Sequence, residues 1–116
     1  MLRREDAIRL RHMLDAAREG RQFLCGRTRQ DLEANRMLSL AFVRLIEIIG
    51  EAATKVTSEC REALPSIPWA SIAAMRNRIV HAYLDVDLDR IWDTGIHDLP
   101  PLISELERVL ATGDEG

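Results

Sequence analysis

One stretch of this chain concentrates side chains that can move protons and hold phosphate: Met75-Arg76-Asn77-Arg78-Ile79-Val80-His81-Ala82-Tyr83. Histidine, with an unperturbed pKa of about 6.5, gives or takes a proton near neutrality, and arginine offers a planar fork that matches phosphate oxygens. RNA can be cut without a metal if a base takes the 2′-hydroxyl proton and a fixed cation stabilises the charge that builds on phosphorus as the chain breaks. His81 would be that base and Arg76 that cation, with Asn77 and Arg78 in support. The residues alone leave a plainer reading open, in which His81 bonds a helix-end carbonyl, Arg76 and Arg78 are surface charges, and Tyr83 is an amphipathic helix-end residue.

The stretch falls near the end of a third long helix, expected over 68–83, with Pro68 at its permissive first turn. At about 100° per residue, Asn77 and His81 would share one face. Arg76 and Tyr83, seven residues apart, would nearly superpose on a second face. Arg76 and His81 would stand about 140° apart on a single helix.

Four further helical regions must position this segment. Ala7, Leu10, Leu14 and Ala17 recur at helical spacing and define a first amphipathic helix over 4–23, broken by Gly26. Thr28 with Asp31 three residues later resembles an N-terminal cap, and a long helix can run from there through Lys55 without meeting a proline. Between 37 and 53 nearly every position is apolar except Arg44, Glu47 and Glu51, which form one narrow stripe. So much apolar circumference suggests packing against another copy of the chain. Thr57 can cap a short helix over 58–63, which Pro65 ends. Asp85 and Asp87 can start a last helix carrying Leu88, Ile91, Trp92, Leu99, Leu102 and Leu106, which Pro100 and Pro101 should kink or divide. With no alternating β pattern, the expected fold is all-α, an up-and-down bundle of four to five helices.

Composition agrees with one folded domain over 1–111 and a frayed tail over 112–116: of 116 residues, 47% are apolar and 30% charged. The net charge of −3 excludes a nucleic-acid role based on bulk electrostatics. Any such role rests on a local patch, and residues 1–36 do carry nine Arg against six acids. The first ten residues alternate charged and apolar types where a signal peptide needs an apolar run, and no window reaches the roughly 18 apolar residues of a membrane span, so a soluble, cytoplasmic protein is expected. Cys25 and Cys60, without close spacing, read as reduced thiols with packing roles.

Other groups are set aside. Asp85, Asp87 and Asp89 lack the Gly and terminal Glu of a calcium loop. His12 and His97 lack partners at metal-ligand spacing, so no metal is expected. Trp69 and Trp92 could stack bases but read as core. Glu47 and Glu51 could orient Arg76 or Arg78 across the bundle, but pairing of Arg44 with Glu47 within one helix explains them without function.

The Arg76, His81 and Tyr83 spacing, an Arg, four residues, a His, one residue and a Tyr, resembles the motif of the HepT-like toxins of the HEPN superfamily. Ile48-Ile49-Gly50-Glu51-Ala52-Ala53, Ile67-Pro68-Trp69, Met75-Arg76-Asn77, Val86-Asp87 and Leu99-Pro100 resemble that family in the same order, over nearly the whole chain. The resemblance implies a metal-independent ribonuclease without a cofactor, the toxin of a type II- or VII-like toxin–antitoxin pair, with Arg76 and His81 as catalytic pair and Asn77 at the polar position after the Arg. It implies a homodimer or higher homo-oligomer whose apposed motif helices form one RNA cleft. It further implies an MNT-type nucleotidyltransferase as antitoxin, silencing the toxin by transferring AMP to Tyr83. The alternative is a non-catalytic HEPN dimer that binds nucleotide or docks that partner.

Overall fold

The computed structural model describes residues 2–81 and 85–113; Tyr83 and residues 114–116 of the expected tail lie outside them. Helix α1 (Arg4–Leu24) buries Leu10, Met13, Leu14, Ala17 and Leu24 along the expected apolar stripe. Gly26, at φ 73°, supplies the left-handed turn that follows it. The expected single helix over 28–55 is divided in two, α2 (Arg29–Ala34) and α3 (Arg36–Thr54). Asn35 is the cause: at φ −137° and ψ 89° its side-chain oxygen accepts from Leu38 N at 3.0 Å, so the side chain replaces a helical carbonyl and restarts the helix. Ser39 Oγ donates to Leu32 O at 3.2 Å across the break. Thr28 and Asp31 form the expected capping box of α2, with Thr28 N donating to Asp31 at 2.7 Å.

Thr57 caps α4 (Ser58–Ala63) as expected, its hydroxyl oxygen accepting from Cys60 N at 3.2 Å. The same residue donates from N and from Oγ1 to the buried carboxylate of Asp6, at 2.9 and 2.8 Å, which ties the start of α4 to the start of α1. Both thiols are free; Cys60 is buried and Cys25 exposed, so the packing role belongs to Cys60 alone.

After α5 (Trp69–Ile79), the chain is helical from α6 (Leu88–Asp93) through a π-helical turn (Thr94–Asp98) into α7 (Leu99–Gly113). The two prolines divide the helix by widening it. Pro100 has no N–H and its ring crowds the carbonyl four residues back, and the wider turn, in which Leu99 N reaches Thr94 O, relieves this. Asp87 caps α6 through Arg90 N at 3.1 Å, whereas Asp85 takes no part in that cap.

Helix α3 packs between α1 and α5, and α7 closes the bundle against α1. Phe42, Ile46, Ile49, Ala52 and Ala53 of α3 are all buried in the single chain. The apolar circumference that suggested a second copy is therefore largely covered by α1 and α5 themselves. Trp69 and Trp92 pack half-buried against the core, as expected, with Trp69 Nε1 donating to Leu64 O at 3.0 Å. Among the described residues no helix is long and apolar enough to cross a membrane.

Gly95 lets the π turn lie directly on α1 and α3: a Cβ there would run into a δ-methyl of the buried Leu24 and sit 3.4 Å from Phe42 Cε2. Gly95→Ala is expected to destabilise the fold by about 1–3 kcal/mol through overpacking, read as a lower midpoint in urea unfolding; a midpoint unchanged from wild type would show that this contact is slack.

Candidate active site

Helix α5 turns Ile72, Met75 and Ile79 into the core and leaves Arg76, Asn77 and Arg78 exposed. It stops at Ile79, four residues short of the expected end at Tyr83. Val80 is extended, at φ −105° and ψ 123°, and forms an antiparallel bridge with Val86. Asp87 N donates to Ile79 O and His81 N donates to Asp85 O, each at 2.8 Å. Two β-branched residues at this point, Ile79 and Val80, favour the switch to extended backbone, and the returning chain takes the carbonyl that a further helical turn would have used.

This ending changes the expected geometry. His81 does not share a helical face with Asn77, and the separation of about 140° from Arg76 on a common helix does not apply. His81 is instead an exposed residue two positions beyond the helix, its backbone held by Asp85. Tyr83, the expected modification site, lies outside the described residues.

Arg76 is anchored from α3. Its Nε donates to Glu47 Oε2 at 3.0 Å, with the two side chains 45% and 28% exposed. Glu47 also lies 3.7 Å from Arg44 Nη1, which reaches Glu51 Oε1 at 3.3 Å, so charges alternate from α5 along α3. The intrahelical pairing of Arg44 with Glu47 is thus present, and so is the contact across the bundle that had been set aside in its favour. A half-exposed pair of this kind contributes at most about 1 kcal/mol to stability. Its larger effect is geometric: held through Nε, the guanidinium keeps both terminal nitrogens unpaired among the described residues.

Arg76 and Asn77 border a groove of about 320 Å³ between α3 and α5. Arg78 faces elsewhere, lining a separate groove of about 360 Å³ with Ser66, His97, Asp98 and Glu105. The structure therefore brings Arg76 and Asn77 together, sets Arg78 on the opposite side of the helix, and puts His81 beyond its end. Sequence reasoning left Glu47 out of the site; its stripe with Arg44 and Glu51 was visible, but nothing local to that stripe identifies the residue 29 positions away that it contacts. An oriented cation and an exposed imidazole are the two kinds of group that metal-free cleavage of a phosphodiester requires.

A family model described as Ribonuclease HepT-like matches residues 13–109. A protein of Methanocaldococcus jannaschii provisionally named an RNase is 33% identical over 81 residues, 70% of each chain. A second protein of that organism, named in the same way, is 36% identical over 76 residues, 66% of this chain and 63% of its own. A protein of Thermococcus cleftensis named Probable ribonuclease HepT is 34% identical over 80 residues, 69% of this chain and 73% of its own. No solved structure matches the chain.

Removing the anchor should free Arg76 without unfolding the protein. Glu47→Ala is expected to cost about 1 kcal/mol or less in thermal unfolding while shifting and broadening the Arg76 Nε–H resonance. An Nε–H signal identical to wild type would mean that the pair does not persist in solution.

Proposed function

This chain belongs to the ribonuclease HepT-like family, and from that membership we propose that it is a metal-independent endoribonuclease in which Arg76 and His81 do the chemistry. The observation that carries this reading is the guanidinium of Arg76, pinned by Glu47 through one nitrogen and presenting two others to solvent. His81 takes the proton of a 2′-hydroxyl and the 2′-oxygen attacks phosphorus. The bond to the 5′-oxygen breaks, leaving a 2′,3′-cyclic phosphate, and the departing oxygen takes a proton from water. Arg76 stabilises the extra charge on the phosphorane, and a pre-oriented donor does so without reorganising during the reaction. Asn77 borders the same groove and supports the substrate; Arg78, on the far side of α5, contacts the strand away from the bond that breaks.

The family also motivates three finer proposals: a toxin–antitoxin pairing, a homodimer whose two motif segments share one cleft, and silencing by an MNT-type nucleotidyltransferase. In that silencing the Tyr83 hydroxyl attacks the α-phosphate of ATP and pyrophosphate leaves. The bound AMP places a negatively charged phosphodiester and a bulky base two residues from His81, where substrate phosphate would otherwise approach.

The test is cleavage of total RNA in EDTA by unmodified protein, checked by mass for AMP on Tyr83, with Arg76→Ala and His81→Ala run in parallel. Cleavage is expected in chelator and should fall by about 10²-fold or more in each variant. His81→Ala keeps the backbone bond to Asp85, so its fold is expected to survive. Cleavage by His81→Ala at the wild-type rate would overturn the assignment, and an inert unmodified wild type would favour the non-catalytic nucleotide-binding dimer.

A further inference from the structure

Glycine inside a helix is destabilising relative to alanine, so its presence there points to something that needs the missing side chain. Gly20 and Gly95 each meet such a need within the chain, since a Cβ on either would lie against Leu99, Phe42 or Leu24. Gly50 does not. It sits inside α3, half-exposed, and a Cβ built on it would meet nothing within 4 Å. The single chain makes no use of the space above it, and that space is the α3–α5 groove beside Arg76.

The lining of the groove constrains what can enter. Its floor is apolar, from Ile46, Gly50, Ile72 and Ala73, while Glu47 and Glu51 stand on the α3 wall and Asn77 on the α5 rim. Two carboxylates repel a phosphate, so the phosphate stays outside with Arg76. A flat, neutral base can lie on the apolar floor and offer its edge to the walls. Glu47 Oε2 is taken by Arg76 and Glu51 Oε1 by Arg44, which leaves Glu51 Oε2 without a hydrogen-bond partner among the described residues. The Asn77 amide, also unpartnered among them, can donate or accept.

We propose that this groove is a nucleobase subsite for the RNA strand, selecting a base with adjacent N–H donors, guanine above the others, while Arg76 holds the phosphate of that nucleotide. Guanine presents N1–H and N2–H side by side and suits a carboxylate acceptor. Adenine and cytosine each offer one amino group on that edge, and uracil flanks its single N–H with two carbonyls that the carboxylates oppose. Gly50 decides whether a base can enter, because any larger side chain there would occupy the floor on which the base lies, and Glu51 decides which base is preferred.

The proposal rests on the ribonuclease reading, and the experiment separates the two. His81→Ala protein is titrated with guanosine, adenosine, cytidine and uridine 5′-monophosphates by calorimetry. GMP is expected to bind about tenfold tighter than UMP, Glu51→Gln in that background should erase most of this difference, and Gly50→Leu should weaken GMP about tenfold. Gly50→Leu raises helix propensity, so a fold loss should not mimic the effect, and a thermal melt checks this. Equal affinity for all four nucleotides, or GMP binding untouched by Gly50→Leu, would overturn the proposal. So would Gly50→Leu shifting only the sedimentation of the protein, which would make the groove a contact between copies. GMP selectivity in a wild type that never cuts RNA would keep the subsite and sink the ribonuclease reading; cleavage with no preference at guanine, unchanged by Gly50→Leu and Glu51→Gln, would do the reverse.

Discussion

Helix α3 carries apolar side chains over most of its circumference, so it has to be wrapped, and α1 on one side and α5 on another do the wrapping. Burying Phe42, Ile46 and Ile49 fixes α3 in rotation about its own axis. That rotation sets the direction of the remaining stripe, Arg44, Glu47 and Glu51. Because α5 packs against the same helix, with Ile72 beside Ile46 in the groove between them, the position of Arg76 over Glu47 follows from core packing. The site is thus a by-product of how a nearly all-apolar helix is covered.

An arginine held this way balances two effects. The carboxylate of Glu47 orients the guanidinium, which in the proposed reaction would lower reorganisation, but it also cancels part of the positive potential that would draw a polyanion in. In a chain of net charge −3 the bulk of the molecule does not make up that loss. The excess of basic residues lies in 1–36, within and around α1 and α2. Such a centre suits chemistry at a defined phosphate better than strong, sequence-blind adhesion to nucleic acid.

The abrupt end of α5 has a related consequence. A helix carried on to Tyr83 would tie the imidazole to the helical repeat of Arg76 and hold the two apart. Stopping at Ile79, with the returning segment bonded at Ile79 and His81, frees the histidine from that repeat while keeping its backbone fixed. Small main-chain bonds at the edge of the helix, from Asp87 N to Ile79 O and from His81 N to Asp85 O, set where the residue's backbone stands.

Much of this was legible in the sequence, and what was legible is local. The cap at Thr28 with Asp31, the caps at Thr57 and Asp87, the amphipathic stripe of α1 and the all-α class depend on residues three or four apart, and spacing alone determines them. The Arg76 and His81 motif was likewise visible as a pattern of types. Only the tertiary structure decided the rest. Asn35 interrupts a helix that propensity would have continued, and α5 ends because Asp87 and Asp85 return to take its bonds. Glu47 reaches Arg76, Arg78 turns to the other groove, and the space over Gly50 stays open because of how α3 and α5 meet. Apart from the Asn35 bond to Leu38, which is itself local, each of these depends on the return of the chain at 85–87 or on partners brought together by packing of the whole core, and no pattern of residues three or four apart encodes it.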